Sequence, residues 1–342
     1  MIAGMAALVQ AVQTNCDIAD ARHARDVSLC TYLLGMREFF RWEHQLPYGA
    51  SPPRDEVGRW IAEREARWEQ IADADFVAVP VAGHDFDAFA AGQVNAALAG
   101  SGLVYGAGLG RFHKPHFFLG RLDREERRGA AQLLVCGCEY ARDVSAIPAA
   151  SQGGTLIVRR EALRQWLWEK AEGWNVRQQD GALKAALLAH GYDRDPAAAI
   201  ERLVEVETEA LAWHEEGEWQ AARLLGPEWQ AMIAGFKNKR AEIFARAVKD
   251  NLADCLVTLP RLATVGSEAM RQFWLASFDG LRRELFPAIA KVGAGDMARW
   301  AQFAARGAGH FELLAKRLLI LSEQEIEGLS QRPEELATAK FV

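Results

Sequence analysis

Glu207, His214 and Glu218 lie at i, i+7 and i+11 of a stretch, 195–225, that also carries Ile200, Leu203, Val204, Leu211 and Leu225. At 3.6 residues per turn these side chains share one face of a helix, so three ionisable groups stand where an apolar stripe is expected. Burying them unpartnered would cost several kcal/mol. The pattern therefore calls for a cation, a mutual pairing or a water-filled pocket opposite them. Glu205, Glu209, Glu215 and Glu216 fall off the stripe and read as solvated.

A second helical stretch repeats the intrusion. Ile243, Ala247, Asp250, Asp254 and Val257 share a face, and His310 follows Trp300, Phe303 and Ala304 on a third, largely apolar surface. Helical bundles build metal sites by pointing carboxylates and imidazoles inward from facing helices. Glu207, His214, Glu218, Asp250, Asp254 and His310 would make a mixed shell for iron, manganese or zinc, and six donors suffice for two ions. Iron with open positions would support dioxygen chemistry, and zinc would turn a bound water into a nucleophile. The plainer account pairs the aspartates with Arg246 and Lys249 and makes His310 a hydrogen-bonded core residue.

Other groups carry weaker signals. Cys16, Asp20, His23, Val27, Cys30, Leu34, Arg37 and Arg41 form a seam if 17–44 is one helix. Its first half has metal-ligand chemistry; its second could hold an anion. Against that stand a buried small Cys30, a dipole-compensating Asp20, and arginines paired with Glu38 or Glu43. Arg37, Arg41 and His116 are read as groups for an anionic or polar small-molecule ligand at a domain interface. His113 and His116 flank a turn, and Cys136 and Cys138 point the same way along a strand; neither spacing is specific. Gly106, Gly108 and Gly110 do not have the dinucleotide-fingerprint spacing.

The elements expected to position these residues change character along the chain. Helices are read over 1–13, 17–44, 55–72 and 85–98. Strands are read over 76–81, 102–111, 116–122, 132–138 and 154–158, with a helix from 159 to about 173. Beyond 175 everything reads helical: 178–190, 195–225, 228–256, 267–285 and 296–321, with Pro260 and Pro287 as breaks. The expected fold is α+β: an N-terminal antiparallel sheet with helices over 1–175, then an all-α helical bundle domain over 176–342.

The chain has 342 residues, half apolar and a quarter charged, with net charge −6. Such a composition describes a globular protein and argues against general nucleic-acid binding. No run approaches the ~20 apolar residues that span a bilayer, and the N-terminus lacks a basic leader. Five cysteines fit reduced thiols, so a cytoplasmic location is expected. No internal repeat is evident.

Glu207, six residues and His214 resemble one helix of the haem-oxygenase-like di-metal oxidases, all-helical proteins with carboxylate and histidine ligands. That resemblance covers the second half only, and it implies dioxygen chemistry. Where that family has a His-x-x-x-Asp-x-x-His run, this chain has Asp250-x-x-x-Asp254 and the single His310. Over its whole length the chain resembles an uncharacterised bacterial family. The runs that carry this are Asn15-Cys-Asp-Ile-Ala-Asp-Ala-Arg-His23, Tyr32-Leu-Leu-Gly-Met-Arg-Glu38, Lys114-Pro-His-Phe-Phe-Leu-Gly120, Glu139-Tyr-Ala-Arg-Asp143 and His214-Glu-Glu-Gly-Glu218.

The leading expectation is a metal-dependent oxidoreductase with its centre in the helical half. Its rivals are a non-catalytic binding or regulatory protein with a buried polar network, self-associating as a homo-oligomer, and a metal-free hydrolase using a Cys or His system.

Overall fold

The computed structural model describes residues 4–337. The protein is α+β. Its first part contains α1 (Met5–His23), α2 (Leu29–Glu43), α3 (Arg54–Ile71), β1 (Val79–Val81), β2 (His84–Phe86), α4 (Ala91–Ala97), β3 (Leu103–Leu109), β4 (Pro115–Arg128) and β5 (Ala131–Arg142). β6 (Ala149–Gln152) and β7 (Thr155–Arg159) form an antiparallel hairpin and lead into α5 (Arg160–Arg177). The remainder is helical: α6 (Ala182–Ala189), α7 (Pro196–Leu225), α8 (Pro227–Gly235), α9 (Lys239–Ala253), α10 (Leu259–Thr264), α11 (Glu268–Ser277), α12 (Gly280–Leu285), α13 (Met297–Leu318) and α14 (Glu323–Ser330).

The chain forms two compact units. The first runs through Glu126 and adds Leu134–Pro148 and Arg159–Trp168; the second comprises Arg127–Leu133, Ala149–Val158 and the chain from Glu169 onward. In the first unit β3 pairs antiparallel with β4, placing Gly108 opposite His116 and Leu109 opposite Pro115. β5 is the next neighbour of β4. Val12, Cys16, Val94, Tyr105, Phe117 and Leu119 pack in one of its cores, and Tyr32, Met36, Phe39 and Trp68 in another. Trp229, Phe244, Phe286, Trp300 and Phe311 anchor the core of the second unit.

Several expected helices are divided, each for a local reason. The span 17–44 belongs to two helices, because Ser28 caps α2 by accepting the Thr31 N–H. The seam is cut there, leaving Val27, Leu29, Cys30 and Leu34 exposed, so Cys30 is not a core residue. The span 228–256 breaks after Gly235, and Asn238 starts α9 by accepting the N–H groups of Arg240 and Ala241. The span 267–285 divides at Phe278 and Asp279, and 85–98 holds the end of β2 before α4. β6 is a strand that sequence periodicity does not mark.

Pro260, expected as a break, does not stop its helix. It has no N–H for the Leu256 carbonyl, yet the helix continues. The turn widens into a π-helical segment, Asp254–Thr258, that joins α9 to α10.

Candidate metal centre

α7 owes its length to strong ends. Asp195 caps it by accepting the Ala198 N–H at 3.0 Å, Pro196 sits in its first turn, and Gly226 ends it with φ 78°. Midway along, it meets α9 backbone to backbone. A Cβ added at Gly217 would lie 2.3 Å from the Ala253 carbonyl oxygen and 2.8 Å from its carbon. Glycine is therefore what allows the approach. Gly217 stands between His214 and Glu218, and Ala253 between Asp250 and Asp254, so the contact brings two polar turns together.

The donor atoms of His214, Glu218 and Asp250 all lie within 4.8 Å of one another, on half-buried side chains. Ligands bound to one first-row ion at about 2.0–2.3 Å are separated by distances of this order. Asp254 supports the group from behind. His214 donates from Nδ1 to Asp254 Oδ1 at 2.8 Å, which fixes the orientation of the ring. The guanidinium of Arg282 binds the other oxygen of Asp254. Lys249 donates to Glu218 Oε2 at 2.5 Å, while Glu218 Oε1 is buried without a hydrogen bond.

Two ion pairs frame the cluster, Lys249 with Glu218 and Arg282 with Asp254. Burial opposes a proton on His214, but Asp254 and Glu215 carry the imidazole up to about 9. Against the penalty of burial, Arg282 and His214 hold Asp254 below the ordinary carboxylate range, and Lys249 and His214 do the same for Glu218. Burial pushes Glu215 up to about 7, with Ser151 as its hydrogen-bond partner.

The expected site residues thus have different fates. His214, Glu218 and Asp250 converge, and Asp254 orients His214. Glu207 shares their helix but stands seven residues from His214, about 10 Å along the axis. It is buried, its Oε1 has no partner, and burial alone pushes its carboxyl well above the usual range. His310 places Nε2 at 3.0 Å from the Leu336 carbonyl, and burial lowers its basicity. Glu215, expected in solvent, is buried against the cluster. Arg282 is distant in sequence and carries no signal there; Gly217, a glycine inside a strong helix, does.

In the first unit, Arg41 is buried and donates to Glu38 at 3.0 Å and to the Pro47 and Ala50 carbonyls at 2.6 and 2.7 Å. Arg37 pairs with the other oxygen of Glu38 at 2.6 Å. Arg41 thereby ties the chain after α2 to the helix. His116 donates from Nδ1 to Asp143 at 3.0 Å. Cys16 is buried and donates to the Phe117 carbonyl, Asp20 binds Lys114, and His23 pairs with Asp26. All five cysteines are free thiols.

Residues 7–159 match the N-terminal domain, and residues 164–340 the C-terminal domain, of a family of unknown function, DUF6866. The chain belongs to that family. No curated protein and no solved structure matches it, so the haem-oxygenase-like resemblance has no counterpart in those comparisons. The cluster on α7 and α9 lies inside the C-terminal domain of this DUF6866 chain. No helix among the described residues is long and apolar enough to cross a membrane.

Proposed function

We propose that the C-terminal part of this DUF6866 chain binds one divalent first-row metal ion through His214, Glu218 and Asp250, and that the protein is a metal-dependent oxidoreductase. The convergence of those donors within 4.8 Å carries the reading. An imidazole with two carboxylates suits iron or manganese and, with fewer geometric demands, zinc. Three protein ligands leave coordination positions open, and iron there would supply dioxygen chemistry. Asp254 would act as the outer carboxylate that orients His214.

One observation favours a second reading, a non-catalytic protein stabilised by a polar network. Lys249 and Arg282 already neutralise most of the charge, as ion pairs do in buried networks without metal. The two readings part at Lys249→Met. A purely structural network loses stability irrecoverably when Glu218 is left unpaired, whereas a metal site regains it on addition of Mn(II) or Fe(II). Elemental analysis of chelator-free protein should find close to one transition metal per chain after loading. His214→Ala should abolish that loading while retaining the helical circular dichroism. Failure of the wild type to load iron, manganese or zinc refutes the metal reading.

A further inference from the structure

A separate group in the first unit has the parts of a general-base site. Lys114 is extended and precedes β4, so it and His116, two residues on, fall on the same side of the chain. Asp143 is fully buried at the end of β5 and accepts the Ala146 N–H at 3.0 Å and the His116 Nδ1–H at 3.0 Å. Despite its burial, His116 and Lys114 hold the Asp143 carboxyl well below the usual range, so it stays ionised. The His116 ring is thereby fixed in one tautomer, with its lone pair on Nε2. That nitrogen makes no hydrogen bond among the described residues, and the side chain is 16% exposed. Glycine at residue 110 is what lets the chain after β3 lie against this edge of the ring: a Cβ there would come within 2.6 Å of His116 Nε2.

Lys114 completes the group. Its ammonium donates to Asp20 Oδ1 at 3.2 Å and to the exposed Ser145 hydroxyl at 2.7 Å. Burial works against its charge, but Asp20 and Asp143 raise its basicity. It is therefore a cation with a third N–H to give, and it cannot itself be the base. A buried carboxylate orienting an imidazole, with an ammonium held on the same side of the chain, is the division of labour by which acyl groups are transferred to water.

The geometry points to a metal-free general-base site at His116, Asp143 and Lys114 that hydrolyses small carboxylic esters. His116 Nε2 takes a proton from a water molecule as that water's oxygen bonds to the acyl carbon. The carbonyl π electrons move to oxygen, where the Lys114 N–H stabilises the charge. Collapse re-forms the carbonyl and breaks the bond to the alkoxide, which receives the proton from His116; acid and alcohol leave. This site rests on residues other than those of the metal centre.

The test uses full-length protein stripped of metal by chelator, with p-nitrophenyl acetate as probe. Wild-type protein should turn over, and His116→Gln, which keeps an N–H toward Asp143, should lose about 10- to 100-fold in kcat/KM. Lys114→Met should lower kcat with little change in KM. Exposed His84→Gln should leave the rate unchanged. Diethyl pyrocarbonate should modify His116, read by mass spectrometry, and abolish turnover in the wild type, with hydroxylamine restoring it. Equal rates in wild type and folded His116→Gln, or turnover that survives complete modification of His116, would overturn the proposal.

Discussion

Glu207 and His214 show how differently two buried groups on one helix face can be treated. His214 is met by Asp254, so its charge is supported. Glu207 meets no charge, and burial alone shifts it. Unfolded, the Glu207 carboxyl ionises near its ordinary value of 4.5; folded, it keeps its proton far above that. The native state binds the extra proton, so this residue makes the protein less stable as pH rises past 4.5. Glu207→Gln keeps the shape and removes the titration. The variant and wild type should melt together near pH 4. Near pH 7.5 the variant should be more stable by about 1–3 kcal/mol, read as several degrees in Tm. A difference that does not grow with pH would show that Glu207 has a charge partner in solution.

At the scale of elements, the approach of α7 to α9 decides whether the metal ligands meet. Gly217→Ala must separate the helices, since the obstacle is Ala253 backbone and not a flexible side chain. The expected cost is about 1–3 kcal/mol, accompanied by loss of metal loading. Gly309, inside α13 with nothing within 4 Å of an added Cβ, supplies the control: Gly309→Ala should be neutral or stabilising by up to about 1 kcal/mol. Denaturant midpoints and metal content of the two variants check both statements; a Gly217→Ala protein that loads metal normally would remove the close approach from the argument.

The same elements show what can be read from residues alone. The span of α7 follows from Asp195, Pro196, Gly226 and a sustained helical period, and His214 with Glu218 follows from a one-turn spacing. Glu207 satisfies the same face rule but not the distance along the axis. The divisions at Ser28 and Asn238 escape a reading by periodicity because apolar periodicity runs across them, although both residues are good caps. Asp143 comes from a different segment than Lys114 and His116, and no spacing rule links it to His116 before β4 and β5 are folded beside each other.

At the scale of the whole molecule, the family domains and the compact units are cut differently. The C-terminal family domain starts at residue 164, yet the second unit also includes Arg127–Leu133 and Ala149–Val158. Those segments support α7. Arg128 pairs with Glu209 at 2.6 Å, Ser151 bonds the buried Glu215, and Ala130 lines a shallow groove with Trp219 and Arg223. A fragment of 164–342 would leave Glu215 without its hydroxyl partner and uncover one side of α7. It should remain helical by circular dichroism but melt well below the helical transition of the full chain. A fragment of 127–342 should recover most of that difference, because it restores both segments. Equal melting of the two fragments would mean that the helices after residue 164 carry the stability of the second unit by themselves, and that the strand segments contribute little to holding α7 in place.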